Sequence, residues 1–436
     1  MDLKKIFSVL IVIMFIFGCS GRIEDNDSGE NNSEEDNIPT FYISPGGDDS
    51  ASGSKDSPWK TIQYALETLS PGERAIIGTG TYHEKLYMDR SGSEGKLIEI
   101  KGESSSGTIL DGTGIERDLI FIEGADYIKI SNLSIKNGER AGIRLSYSNY
   151  IELSDLTISD CGKWGIFTDF SDYTTVEDCD ISGSKDEHGI YISNSSDNSV
   201  IRGNKVYNNV ASGIQINADP SMGGDGISSN CLIENNIVSG NGKWGGAAIN
   251  LASVRDSIIQ NNILYKNYAG GIAAWDDGQG NEWGSKNLTI IHNTIVFDNT
   301  EGRWAISLKN GSNGAKIYNN ILCGGRRGGF EFNTGSLENI KIDNNIYYRY
   351  ESDLLISDED DTDYTLAQWQ QRGFDGNSVV LDPSSLFKDL SGLDFHLKIG
   401  SSAIDKGSDQ NLKYDFEGDL RPRGGGPDIG ADESGS

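Results

Sequence analysis

The sequence predicts an all-β solenoid, a parallel β-helix, on three observations: a repeat of near-constant length, short strands that alternate apolar and polar residues, and a composition suited to many turns. The segments AGIRLS, WGIFTD, HGIYIS, SGIQIN, AAINLA, GGIAAW, WAISLK and GGFEFN place their first core residues at Ile143, Ile166, Ile190, Ile214, Ile249, Ile272, Ile306 and Phe330, with spacings of 23, 24, 24, 35, 23, 34 and 24. A second set, from ISNLSI through IENNIV to IDNNIY, runs between them. One of its positions reads Leu133, Leu156, Cys179, Asn204, Asn236, Asn262, Asn293, Asn320 and Asn345. No such strand can bury its apolar face alone, so successive coils must stack. Gly at 55 of 436 residues and Pro at only 8 fit a chain of short strands and tight corners.

Along the chain, Lys4 and Lys5 precede an apolar run over residues 6–17, the length of a signal-peptide core and short of a membrane span. The run ends in Phe17-Gly18-Cys19, which resembles the lipobox of bacterial lipoproteins, with Cys19 as the acylated residue. Residues 1–18 are therefore expected to be a signal peptide. Residues 19–39, rich in Asp, Glu, Asn and Ser, are expected to form a lipidated acidic linker that cannot bury a core. The β-helix with its N-terminal cap is expected over 40–385. Ser57-Pro58 is read as the N-cap and first residue of a capping helix whose apolar face is Ile62, Ala65, Leu66 and Leu69. TLAQWQQRGFD reads as a short helix. The stretch over 386–436 is expected to close the other end.

Within the stack, Ile and Val are expected to point inward. Corner Asn residues are expected to adopt the left-handed conformation and bond neighbouring backbone through their amides, a structural role. Cys161, Cys179, Cys231 and Cys323 lack paired spacing and are expected to be buried thiols. A net charge of −29 and a pI of 4.4 argue against nucleic acid as a partner.

FYISPGGDDSASGSKDSPWKTIQYALETLSPGERAIIGTGTY resembles the opening segment of bacterial secreted right-handed parallel β-helix proteins of the pectate-lyase-like superfamily. LDFHLKIGSSAIDKG with RPRGGGPDIGADE resembles their closing segment. The resemblance implies a right-handed solenoid in the cell envelope or outside it, touching the membrane only through its lipid, and expected to be monomeric. It leaves activity open, because this fold hosts pectate and alginate lyases, uronate epimerases, glycoside hydrolases and adhesins.

Strand parity sets two outward columns on the GI-x-I-x strands. The first is Arg144, Phe167, Tyr191, Gln215, Asn250, Ala273, Ser307 and Glu331; the second is Ser146, Asp169, Ser193, Asn217, Ala252, Trp275, Lys309 and Asn333. Aromatics and amides on such a face suit a polysaccharide, with Tyr191, Gln215, Asn217, Asn250 and Trp275 as binding candidates. The two long spacings place insertions at 218–230 and 276–287, both after the same strand, so they are expected to wall one groove. Asp219, Asp225, Asp276 and Asp277 on these insertions offer hard oxygen ligands for Ca²⁺, which would bind a uronate carboxylate. Lys309 is then the candidate base for a β-eliminating polysaccharide lyase, His188 a second candidate and Arg303 a partner for the carboxylate. Pectate-lyase-like enzymes combine carboxylate-bound Ca²⁺ with a Lys or Arg base, though their ligand pattern is not matched residue by residue. A glycoside hydrolase using Asp276 and Asp277, a uronate epimerase using His188, and a non-catalytic glycan binder or adhesin are the alternatives.

Overall fold

Each coil lays down three short strands, and equivalent strands of successive coils pair in parallel. In the computed structural model, which describes residues 37–297 and 302–435, this produces three 12-stranded sheets. Sheet 1 begins with Thr40–Ile43 and ends with Lys341–Asp343, sheet 2 runs from Gly80–Tyr82 to Val379–Val380, and sheet 3 runs from Leu86–Met88 to Asp363–Tyr364. The expected solenoid is what forms. Its last pairing in sheet 3, Ile356–Ser357 with Asp363–Tyr364, is antiparallel and ends that sheet. The signal peptide, Cys19 and nearly all of the linker lie outside the described residues.

The three sheets enclose one column of Ile, Val and Leu, including Ile143, Ile166, Ile190, Ile214, Ile249, Ile272 and Ile306, all fully buried. The glycine before Ile143, Ile166, Ile190, Ile214 and Ile272 has a steric cause. A Cβ at Gly165, Gly189 or Gly213 would lie 2.6, 2.6 and 2.5 Å from the inward side chains of Ile181, Val206 and Val238 on sheet 2. The corner between sheets 2 and 3 is thus too tight for a side chain in these coils.

At the corner between sheets 1 and 2 the left-handed residue is the one before the ladder asparagine: Asn235, Asn261, His292, Asn319 and Asn344 have φ of 53–58°. The ladder asparagines themselves turn inward. Asn204 Nδ2 donates to Asn236 Oδ1 at 3.0 Å, and the relay continues through Asn262, Asn293 and Asn320 to Asn345 at 3.0–3.1 Å. The expectation that one residue does both jobs holds at Asn132, which is left-handed and donates Nδ2 to the Gly102 carbonyl at 2.8 Å, but in the ladder coils it is corrected, the two jobs falling on adjacent residues. A shorter ladder, Asn209, Asn241 and Asn267, lines the corner between sheets 2 and 3. The four cysteines are buried, unpaired thiols, and burial pushes the Cys231 thiol up to about 12.

The front of the core is covered by the helix Ile62–Thr68, whose Ile62, Ala65 and Leu66 are buried, as is Leu69 just beyond it. Its N-cap is Thr61, accepting from the Tyr64 amide, and not Ser57: the neighbouring Trp59 amide is taken by the Tyr42 carbonyl, which holds this segment extended. The back is covered by Leu366–Gln371, whose Trp369 stacks on Phe332 and Phe374.

The segment from residue 386 onward does not close the end. Leu386, Phe387, Phe395, Leu397, Ile429 and Ala431 form a separate apolar cluster with Ile263, Val296, Ile321, Cys323 and Ile346, the outward residues of sheet 2. Those outward positions are apolar, and a layer along the side of the stack is what removes them from water. Arg421 anchors it, meeting His292 Nδ1 at 2.8 Å and Glu433 at 3.1 Å.

Candidate functional site

Sheet 3 carries the outward columns in the expected register. Tyr191 pairs with Gln215, Gln215 with Asn250, Asn250 with Ala273 and Ala273 with Ser307; alongside, Ser193, Asn217, Ala252 and Trp275 follow one another. Coils lie about 4.8 Å apart, so Lys309, one coil beyond Trp275, is three coils from Asn217. Gln215 and Asn250 are only 4% and 8% exposed although they point out of the barrel, which makes the floor a recess. They are linked by Asn250 Nδ2 donating to Gln215 Oε1 at 2.7 Å.

The two insertions meet, as the repeat lengths predict. Gly226 in the first packs so tightly that an added Cβ would lie 2.7 Å from Pro220 and 2.9 Å from the Trp283 ring of the second. Across the floor, Asn217 Nδ2 donates to Asp277 Oδ2 at 2.8 Å. This bond spans the coil of Ala252, whose small side chain leaves room beneath it. On the opposite rim stands Trp244, 71% exposed, which the repeat pattern does not single out; its only signal is a tryptophan in a glycine-rich corner.

Two polar atoms of this groove are buried without a partner: Asn217 Oδ1, an acceptor, and Trp275 Nε1, a donor. They belong to one outward column, two coils apart. Buried polar groups are nearly always satisfied, so the first asks for a ligand donor and the second for a ligand acceptor. Tyr191 adjoins them, its hydroxyl 3.4 Å from Asn217 Nδ2.

The remaining candidates divide. His188 packs edge-on against Tyr191, with ring centroids 5.1 Å apart, and its Nδ1 accepts from the Ser212 amide at 3.1 Å. Burial lowers its pKa to about 4, so at neutral pH it is uncharged, with its proton on Nε2. Lys309 Nζ is ion-paired with Glu331 Oε2 at 2.8 Å. Arg303 is exposed at the start of its strand, Trp304–Leu308, and thus at the rim opposite Lys309.

The four aspartates do not form a preformed cation cage. Asp276 is buried, and its two oxygens accept from Asn310 Nδ2 and the amides of Gly278 and Gly280 at 2.7–3.1 Å, which lower its pKa against the opposing effect of burial. Asp219 and Asp225 accept from the Ser221 and Ile227 amides in local turns. Among the described residues, these four do not bring three ligand atoms within reach of one ion. The expected Ca²⁺ set does not fit this arrangement, because Asp219, Asp225 and Asp276 hold amides of their own turns and Asp277 is bonded to Asn217. The same saturation removes Asp276 as half of a hydrolytic acid–base pair.

A solenoid of three parallel sheets with a groove built on one of them defines a class. Residues 97–223 match the family model for a right-handed β-helix region, and the chain has the fold of a right-handed parallel β-helix. It is similar to the uncharacterized protein YwoF of Bacillus subtilis (strain 168), 33% identical over 109 residues, 24% of this chain and 23% of that protein. It is also similar to pectate lyase PEL9 of Emericella nidulans, 29% identical over 114 residues, 22% of this chain and 28% of that one. The matches thus span about a quarter of these relatives' own length. The crystal structure of pectate lyase Pel9A superposes with a TM-score of 0.64 at 16% identity, covering 91% of this chain and 96% of that one.

Proposed function

We propose that the groove on sheet 3 binds a uronate-containing polysaccharide and that the chain is a polysaccharide lyase, tethered to the cell envelope through Cys19. The single observation that carries polysaccharide binding is the presence on one column of the unpartnered Asn217 Oδ1 and Trp275 Nε1, which sugar hydroxyls two coils apart satisfy, one donating to the first and another accepting from the second. Tyr191 and the Gln215–Asn250 amide pair extend the same surface. The fold shared with pectate lyase Pel9A and the local match to PEL9 support elimination as the reaction. In that reaction the base binds the proton at C5 of the uronate, the electron pair of the broken C5–H bond forms the C4–C5 double bond, and the oxygen at C4 leaves with the C4–O bonding pair.

Lys309 is the base of this reading, the cationic side chain next to Trp275 on the same column. Entry of a substrate carboxylate would compete with Glu331 for it. Arg303 offers a second cation to the polymer from the far rim. No step is routed through Ca²⁺. The Lys309–Glu331 pair favours a second reading, a non-catalytic glycan binder, in which the lysine takes no part in proton transfer.

Incubating the mature protein with a panel of uronic-acid polymers separates the two. A lyase produces the ultraviolet absorbance of an unsaturated uronate, lost in Lys309→Ala; saturable binding to the same polymers without that absorbance overturns the lyase and keeps the binder.

A further inference from the structure

The side layer formed by the C-terminal segment contains a cluster remote in sequence from the groove. His396 lies on the strand Asp394–Leu397, Glu417 in the turn that Asp415 organises by accepting from the amides of Glu417 and Asp419, and Asp432 near the chain end. His396 Nε2 is 2.9 Å from Glu417 Oε2, and one ligand atom from each of His396, Glu417 and Asp432 lies within 4.8 Å of the others. Asp432 is already fixed, its Oδ2 accepting from the Leu397 amide at 2.7 Å.

Two features point beyond an ion pair. His396 Nδ1 is hydrogen-bonded to Asp394 Oδ1, the carboxylate–histidine arrangement that orients an imidazole so that its other nitrogen faces a metal. The charge is also unbalanced: Asp394, Glu417 and Asp432 surround one imidazole, Asp415 stands close, and Lys388 is the one basic side chain felt by both Asp394 and Asp432. A divalent cation supplies the missing charge.

We propose that His396, Glu417 and Asp432 bind a divalent transition metal of the Zn²⁺ class, with Asp394 holding the imidazole. One nitrogen and two carboxylate oxygens favour such an ion over Ca²⁺, which takes oxygen ligands. The ligand edges of a tetrahedral zinc site are roughly 3.3 Å for bonds of about 2.0–2.1 Å, so small side-chain rotations close the set. The ion would clip together the hairpin, the turn and the chain end, and so hold the side layer on sheet 2. This site does not depend on what the groove does.

The test uses untagged mature protein stripped with chelator. ZnCl₂ titrated by calorimetry binds at one equivalent and raises the Tm, whereas CaCl₂ at the same concentration does neither. His396→Gln weakens zinc binding about tenfold or more, and His83→Gln leaves it unchanged. If His396→Gln does not fold, the exposed Glu417→Gln serves in its place, read by the same titration and by the visible spectrum of the Co²⁺ form. Absence of saturable zinc binding, or binding undiminished in both site variants, overturns the proposal.

Discussion

Asn217 Nδ2 reaches Asp277 Oδ2 at 2.8 Å across an intervening coil, and the residue it crosses is Ala252. The floor of the groove and its wall are therefore one hydrogen-bonded unit, and the space beneath that bond is set by a methyl group. Ala252→Leu is expected to push Asp277 away and fill the recess beside the unpartnered Asn217 Oδ1. Polymer binding should fall by an order of magnitude or more, about 1.4 kcal/mol or above, and because Ala252 is fully buried the overpacking should also cost about 1–3 kcal/mol of stability. Affinity electrophoresis in polymer-containing gels, with urea unfolding alongside, checks both halves.

Trp275→Phe keeps the ring and deletes the buried Nε1–H. If a sugar hydroxyl accepts from that nitrogen, binding weakens by about 0.5–1.5 kcal/mol, and Trp275→Ala weakens it further. Equal affinity for Trp275→Phe and the parent protein in a binding titration would remove the hydroxyl from this position.

The asparagine ladder predicts stability without activity. Asn262 Oδ1 accepts from both the amide and the Nδ2 of Asn236; Asn262→Ala leaves that backbone amide buried without an acceptor, at about 1–3 kcal/mol, while Nδ2 keeps the Ile201 carbonyl. Urea unfolding should show the loss, with polymer binding per folded molecule unchanged.

Asp375 sets a pH dependence of known sign. It is buried among Ser378, Tyr347, Asn345 and Trp369, and burial raises its pKa from 3.8 to about 6. The folded state therefore holds this proton more tightly than the unfolded chain, so the contribution is fully present below pH 4 and is lost as pH rises through 6, on the order of 3 kcal/mol. His188, lowered to about 4, acts oppositely: its contribution is present above pH 6.5 and lost as pH falls through 4. The difference in unfolding free energy between the parent and Asp375→Asn, measured from pH 4 to 7, isolates the first slope. A constant difference across that range would refute it.

Much of this was legible in the chain. Period and alternation placed both columns of sheet 3, down to the pairing of Tyr191 with Gln215 and of Ala252 with Trp275, because side-chain direction in a strand follows from parity alone. Spacings of 35 and 34 located the two insertions that meet at Gly226 and Trp283. Local hydrogen bonding was not legible. Asp276 and Asp277 look alike in sequence, yet one is spent on the amides of its own turn and the other crosses a coil to Asn217. The route of the C-terminal segment was missed for a similar reason. Outward Ile263, Ile321 and Ile346 carry the signal, but parity shows only that they leave the core, not what covers them.

The asparagine ladder has a direction. From Asn204 to Asn345 every side-chain amide donates toward the C-terminal end, so six dipoles add head to tail along the barrel, and the row ends on the Asp375 carboxylate, 3.3 Å from Asn345 Nδ2. Its positive pole faces an anion, as a helix N-terminus would. Each amide is held in that sense at its own coil, its Oδ1 accepting from the backbone amide of the preceding ladder residue and its Nδ2 donating also to a carbonyl of the preceding coil, so the back half of the barrel interior is electrically polar along its axis.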